Sequence, residues 1–201
     1  TALDVGANAG LYTNLMARQL TGGRVLAIEP AANALVKLRS NVKRNGIEAS
    51  TLVFEGVASD RECTRTLKIV AGKEEYSSVG TLAHPSIVNE QVETMDVQST
   101  TIDALVRLHA LDPGFIKIDV EGTEHEVLRG AEQTLRKHRP VVLSELSAHL
   151  LAVNGTSAAD VVDYMQRLDY RVTAPLHPGG RFAVRDYGAM LCLPIERNAS
   201  T

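Results

Sequence analysis

The 201 residues have room for one domain, and 44% apolar with 22% charged residues is an ordinary globular mixture, which excludes disordered, collagen-like and coiled-coil chains. With 21 basic against 24 acidic residues the net charge is -3, and no Lys/Arg block exceeds 136–139, so no nucleic-acid groove is predicted. The apolar runs, such as 141–143, fall far short of the roughly 18 residues that a membrane helix requires.

Residues 1–5 read as the end of a buried strand. Leu11, Leu15, Met16 and Leu20 then recur at helical spacing until Gly22-Gly23 stops the helix. The run 24–29 is a second strand closed by Pro30. Leu35, Leu38 and Val42 mark a helix ended by Asn45-Gly46, and 51–54 form a third strand. Such alternation predicts a parallel sheet with right-handed crossover helices.

Between 61 and 97 the pattern changes to short β-like runs at 66–70, 79–82 and 91–97, read as an inserted hairpin. Thr100-x-x-Asp103 opens a helix through Ile102, Leu105, Val106 and Leu108, and Asp112-Pro113-Gly114 is a turn. A strand at 115–119, one helix over 123–137 and a strand at 141–145 resume the sheet. Ser157-x-x-Asp160 caps another helix, followed by β-like runs at 170–173, 181–184 and 189–193. The predicted fold is α/β, a mostly parallel sheet with helices on both faces, an inserted β-hairpin and an antiparallel C-terminal edge, in one domain over 1–201. Cys63 and Cys192 lack a C-x-x-C spacing, which argues against a disulfide framework and for a reduced, cytoplasmic setting. The chain starts at Thr1 directly on a strand, so a longer natural protein with a further upstream segment is expected.

In open α/β sheets ligands sit beyond the carboxyl ends of the strands. Those ends are acidic here: Asp4 before Gly6-Ala7-Asn8-Ala9-Gly10, Glu29-Pro30, Asp119-Val120-Glu121-Gly122 and Glu145. The first loop needs glycine to turn sharply from strand to helix and to let a ligand approach. Its G-x-N-x-G spacing is one residue short of the dinucleotide fingerprint. Glu29 is placed to accept both hydroxyls of a ribose, whether of NAD or of S-adenosylmethionine. Asp4 favours the latter, because a carboxylate there repels a pyrophosphate but suits the ammonium of a methionine moiety, directly or through water.

Three segments together, Asp4-Val5-Gly6-Ala7-Asn8-x-Gly10, Ala27-Ile28-Glu29-Pro30 and Ile116-Lys117-Ile118-Asp119-Val120-Glu121-Gly122-x-Glu124 with Leu128-Arg129-Gly130-Ala131, resemble the FkbM-type methyltransferases. The resemblance covers essentially the whole chain. It implies a Rossmann-like class I methyltransferase fold, S-adenosylmethionine as cofactor, and methylation of a hydroxyl on a sugar or natural product. It also implies cofactor contacts at Asp4, Gly6, Ala7, Asn8, Gly10, Glu29, Pro30, Val57 and Ser78.

For the reaction, Asp119 and Glu121 are two residues apart at a strand end and project to the same side if the strand persists. With Glu145 they form a candidate catalytic group, either a general base with an orienting partner or a holder of a divalent cation. His125 and His149 fall near the same end. The competing readings are an NAD-dependent oxidoreductase and a noncatalytic protein that binds the nucleoside cofactor.

Overall fold

The computed structural model describes residues 1–87, 90–175 and 187–196. In chain order the elements begin with β1 (Ala2–Val5), α1 (Leu11–Gln19), β2 (Val25–Glu29), α2 (Ala32–Arg44), β3 (Thr51–Glu55), β4 (Val57–Ala58) and β5 (Cys63–Val70). They continue with β6 (Val92–Thr100), α3 (Ile102–Leu108), β7 (Phe115–Ile118), α4 (Glu124–Arg129), α5 (Glu132–His138) and β8 (Val141–Ser147). The last are α6 (Ala148–Val153), α7 (Ala158–Arg167), β9 (Tyr170–Thr173) and β10 (Tyr187–Pro194).

The main sheet runs β3-β2-β1-β7-β8-β10-β9. Its first five strands are mutually parallel, and β10 pairs antiparallel with both β8 and β9. The strand order therefore reverses at β1, between β2 and β7, which is where an open sheet leaves a crevice for a ligand. Alternation assigns the two faces. Leu3, Val5, Leu26, Ile28, Ile116 and Ile118 point into the core shared with α3, α5 and α7, whereas Val25 and Ala27 meet Ala17, Leu35 and Leu38 of α1 and α2.

The insertion is a long antiparallel pair, β5 with β6, joined by β4 into a second three-stranded sheet. The run 79–82 is not a strand; Ser78 alone bridges to Lys68. The single helix expected over 123–137 is two helices. A side chain at Gly130 would stand 1.9 Å from the Ser59 carbonyl oxygen, and the Gly130 carbonyl accepts the Asp103 N–H, so the chain breaks there to pack against two neighbours.

Three smaller differences have equally local causes. The cap of α3 is Thr101 rather than Thr100, and its hydroxyl accepts the Ala104 N–H at 3.0 Å. Asp103 instead caps α5, accepting the backbone N–H groups of Gln133 and Thr134. Leu11 and Leu15 face outward, 68% and 52% exposed, because α1 meets the sheet through the smaller Thr13 and Ala17. The helix α6, capped by Ser147, was not signalled by periodicity, and the run 181–184 lies outside the described residues.

Candidate functional site

Leaving β1, the chain passes through Gly6 at φ +74° and Asn8 at φ +47° and enters α1 through Gly10 at φ +83°. At Gly6 the requirement for glycine is double: a Cβ there would lie 1.8 Å from the Asp119 carbonyl oxygen. Glu29, at the end of β2, organises this loop. One carboxylate oxygen accepts the Asn8 N–H at 2.8 Å and the other the Ala31 N–H at 2.8 Å, leaving each oxygen a further lone pair. Burial raises the Glu29 pKa, against the lowering effect of these two N–H groups.

Beneath the loop Asp4 is fully buried and accepts the Thr13 hydroxyl at 2.5 Å. Its neighbour in the parallel register is Lys117 of β7. The buried Lys117 ammonium donates to the Gly6 carbonyl at 3.0 Å and lies 3.6 Å from Asp4 Oδ1 and 3.4 Å from Asp119 Oδ2. Burial raises the Asp4 pKa despite the charge of Lys117, and among the described residues Asp4 Oδ1 finds no hydrogen-bond partner.

The acidic loop after β7 turns back through two successive left-handed residues, Glu121 at φ +54° and Gly122 at φ +98°. A non-glycine residue in that region is strained and persists only when its surroundings hold it. Here Ser78 Oγ donates to the Glu121 carbonyl at 3.2 Å, and the buried Glu124 carboxylate accepts the Gly122 N–H at 3.0 Å. The Glu124 pKa is pushed up to about 7, chiefly by burial. That of Glu121 is pushed up to about 8, first by burial and then by the charges of Asp119, Glu124, Glu145 and Glu75.

One cleft joins these parts. Of the residues expected to bind or react, Gly6, Asn8, Glu29, Pro30, Val57, Ser78, Asp119 and Glu121 line it. Asp4 and Ala7 are buried beneath, and Gly10 faces a shallow groove with Asn14 and Asn41. Glu145 is exposed on β8, its pKa raised by partial burial and then by Asp119. Among the described residues no three His, Cys, Asp or Glu side chains gather closely enough to hold a metal ion. His125 turns away to Thr156 Oγ1 at 3.0 Å and lines a separate hollow, and His149 is exposed.

Sequence reasoning missed Lys117 and Glu75 as parts of the site. A lone lysine inside the apolar run Phe115-Ile116-Lys117-Ile118 was the available signal for the first. Ser77 lines the cleft with its Oγ buried and, among the described residues, without a hydrogen-bond partner. A nucleoside fits this donor set: Ile28, Val57 and Leu67 supply apolar walls, Glu29 two free lone pairs, and Ser77 an unsatisfied hydroxyl.

Residues 4–172 match the family described as Methyltransferase FkbM domain. The 31-O-demethyl-FK506 methyltransferase FkbM of Streptomyces tacrolimicus is 28% identical over 153 residues, 64% of this chain and 58% of that protein. The crystal structure of methyltransferase FkbM from Methylobacillus flagellatus KT superposes with a TM-score of 0.64 at 20% identity, covering 96% of this chain and 43% of that one. An O-methyltransferase from Bacillus cereus solved in complex with SAH gives a TM-score of 0.50 at 19% identity, over 96% of this chain and 73% of that one. The fold is thus the Rossmann-like class I methyltransferase fold, and the chain spans 58% of the curated relative's length.

Proposed function

The chain belongs to the FkbM methyltransferase family, and we propose that it catalyses S-adenosylmethionine-dependent O-methylation of a hydroxyl on a small molecule, a sugar or natural product. The observation that carries this reading is the single cleft in which the glycine loop, the Glu29 carboxylate and Glu121 meet. Bound there, S-adenosylmethionine supplies an electrophilic methyl group on a sulfonium. Glu29 would take the ribose hydroxyls, the turn 6–10 the methionine end, and Ser77 and Ser78 the wall that closes over them. The part of Asp4 is indirect: through Thr13 and Lys117 it fixes the loop from below.

Glu121 is the base in this reading. Formation of the new O–CH3 bond requires the acceptor hydroxyl to lose its proton, and a carboxylate whose pKa is about 8 takes a proton more readily than an ordinary one near neutral pH. Asp119 stands beside it, tethered to Lys117, and orients the acceptor. Among the described residues no helix is long and apolar enough to cross a membrane, and the reading adds a cytoplasmic setting, with neither nucleic acid nor membrane as partner.

Calorimetry with S-adenosylhomocysteine and with NAD tests the assignment. Binding of the first and not the second supports it; preference for NAD would favour the oxidoreductase. Loss of turnover in Glu121→Gln with retained cofactor affinity separates an enzyme from a noncatalytic binder.

A further inference from the structure

The chain has five tyrosines and no tryptophan, and two of the tyrosines gather outside the core at one end of the cleft. Tyr76 stacks on His84 with ring centroids 4.2 Å apart and planes 26° from parallel, and Tyr187 stands 5.5 Å from His84, tilted by 60°. The first two rings come from the loop between β5 and β6 and the third opens β10, so tertiary folding alone assembles the row. Tyr187 is still 44% exposed there, a flat apolar surface that the core does not use.

This row adjoins the reacting end of the cleft. Tyr76 and His84 share a small hollow with Glu121, and Glu75, next in sequence to Tyr76, lines the cleft itself. Tyr187 is close enough to Glu121 and Glu145 for both charges to raise its pKa, after the larger effect of burial. The histidine is uncharged near neutral pH: burial lowers its pKa, and Nδ1 accepts the Ser86 N–H at 3.1 Å. The row is therefore neutral, and the side chains flanking it, Glu75, Asp119, Glu121 and Glu145, are acids. The cations nearby are committed elsewhere: Lys117 is buried under the glycine loop against Asp4 and Asp119, Lys73 beside Tyr76 is paired with Glu90 and the Ser86 carbonyl, and Lys68 donates to the Gly80 carbonyl.

Aromatic faces take the C–H face of a saturated ring, and carboxyl groups beside them hydrogen-bond its hydroxyls. A phosphate or carboxylate on the ligand would meet the carboxylates of Glu75 and Asp119 at the rim. We propose that Tyr76, His84 and Tyr187 form the acceptor platform, and that the acceptor it takes is an uncharged, polyhydroxylated saturated ring. This rests on the methyl-transfer reading above and narrows its substrate class.

The test is saturation-transfer NMR on the protein loaded with S-adenosylhomocysteine, using methyl α-D-glucopyranoside and glucose 6-phosphate as probes, with cofactor affinity followed separately by calorimetry. Saturation is expected on the ring protons of the neutral glycoside and not on the phosphate. Tyr187→Ala should weaken glycoside binding at least about fivefold, the scale of a lost aromatic contact, with cofactor affinity held within about twofold. Tyr187→Leu, which keeps the bulk without the flat ring, should weaken it as well, and Tyr187→Phe should not. Absence of transfer to the glycoside from protein that binds S-adenosylhomocysteine would overturn the platform, as would equal transfer to the phosphate or unchanged binding in Tyr187→Ala and Tyr76→Ala alike. Failure of S-adenosylhomocysteine itself to bind would instead overturn the cofactor reading, and this inference with it.

Discussion

Glu29 and Asn8 are joined by a 2.8 Å hydrogen bond from the Asn8 backbone N–H to the carboxylate, so the residue proposed to hold the ribose also builds the loop beside it. Removing the carboxylate therefore acts twice. Glu29→Ala should weaken S-adenosylhomocysteine binding by about 1.5 to 3 kcal/mol, the worth of hydrogen bonds to a charged group. It should also lower the melting temperature of the free protein, since the buried Ala31 N–H and the partly buried Asn8 N–H lose their acceptor. Glu29→Gln keeps one carbonyl acceptor and should fall between. An affinity for S-adenosylhomocysteine that stays within about twofold in Glu29→Ala would remove the ribose assignment.

Glu121 sets the expected pH dependence of turnover. Its pKa of about 8 means the side chain is mostly protonated at neutral pH and becomes an effective base as pH rises through that value. The rate should climb with pH and level off above about 8. Glu121→Gln should lower kcat by about a hundredfold or more and flatten that limb, with cofactor affinity nearly unchanged. A rate profile identical in the variant would leave positioning alone as the mechanism.

The parallel half of the fold was legible because its strands are short apolar runs ended by acids or glycine, as at Val25–Glu29 and Phe115–Ile118. Cleft residues on strand ends were legible for the same reason. What local pattern could not show were contacts between distant segments. Gly130 breaks a helix because Ser59 approaches from the insertion, and α1 turns Leu11 outward because Thr13 is needed at Asp4. Ser77 and Tyr187 reach the site only through tertiary folding, and no sequence period marks either.

Glu124 makes an unusual stability prediction. Its folded pKa is about 7 against 4.5 as a free side chain, with burial the main cause. A raised carboxyl pKa contributes stability that is present below the unfolded value and lost as pH rises through the folded one. The linkage amounts to about 3 kcal/mol between those limits. The wild-type melting temperature should thus fall from pH 5 toward pH 8, and Glu124→Gln, which keeps an acceptor for the Gly122 N–H, should flatten the decline. Equal slopes for the two proteins would show that Glu124 is already ionised at low pH.

Lys117 is also buried, and its replacement tests whether Asp4 depends on it. Both side chains are at most 8% exposed, and Lys117 is the largest influence holding the Asp4 pKa down against burial. In Lys117→Met the Asp4 carboxylate is left buried beside the orphaned Gly6 carbonyl, a loss expected to cost about 3 to 5 kcal/mol. The sign of the pH effect follows. With its cation gone, Asp4 must take up a proton for the chain to fold, so its folded pKa rises further and stability drains away as pH increases. Urea unfolding should show a smaller deficit at pH 5 than at pH 8. Lys117→Met combined with Asp4→Asn removes both charges and should recover much of the loss, because residues in direct electrostatic contact do not behave additively. A double variant as unstable as the sum of the two single ones would mean that Lys117 acts through Asp119 or the Gly6 carbonyl and not through Asp4.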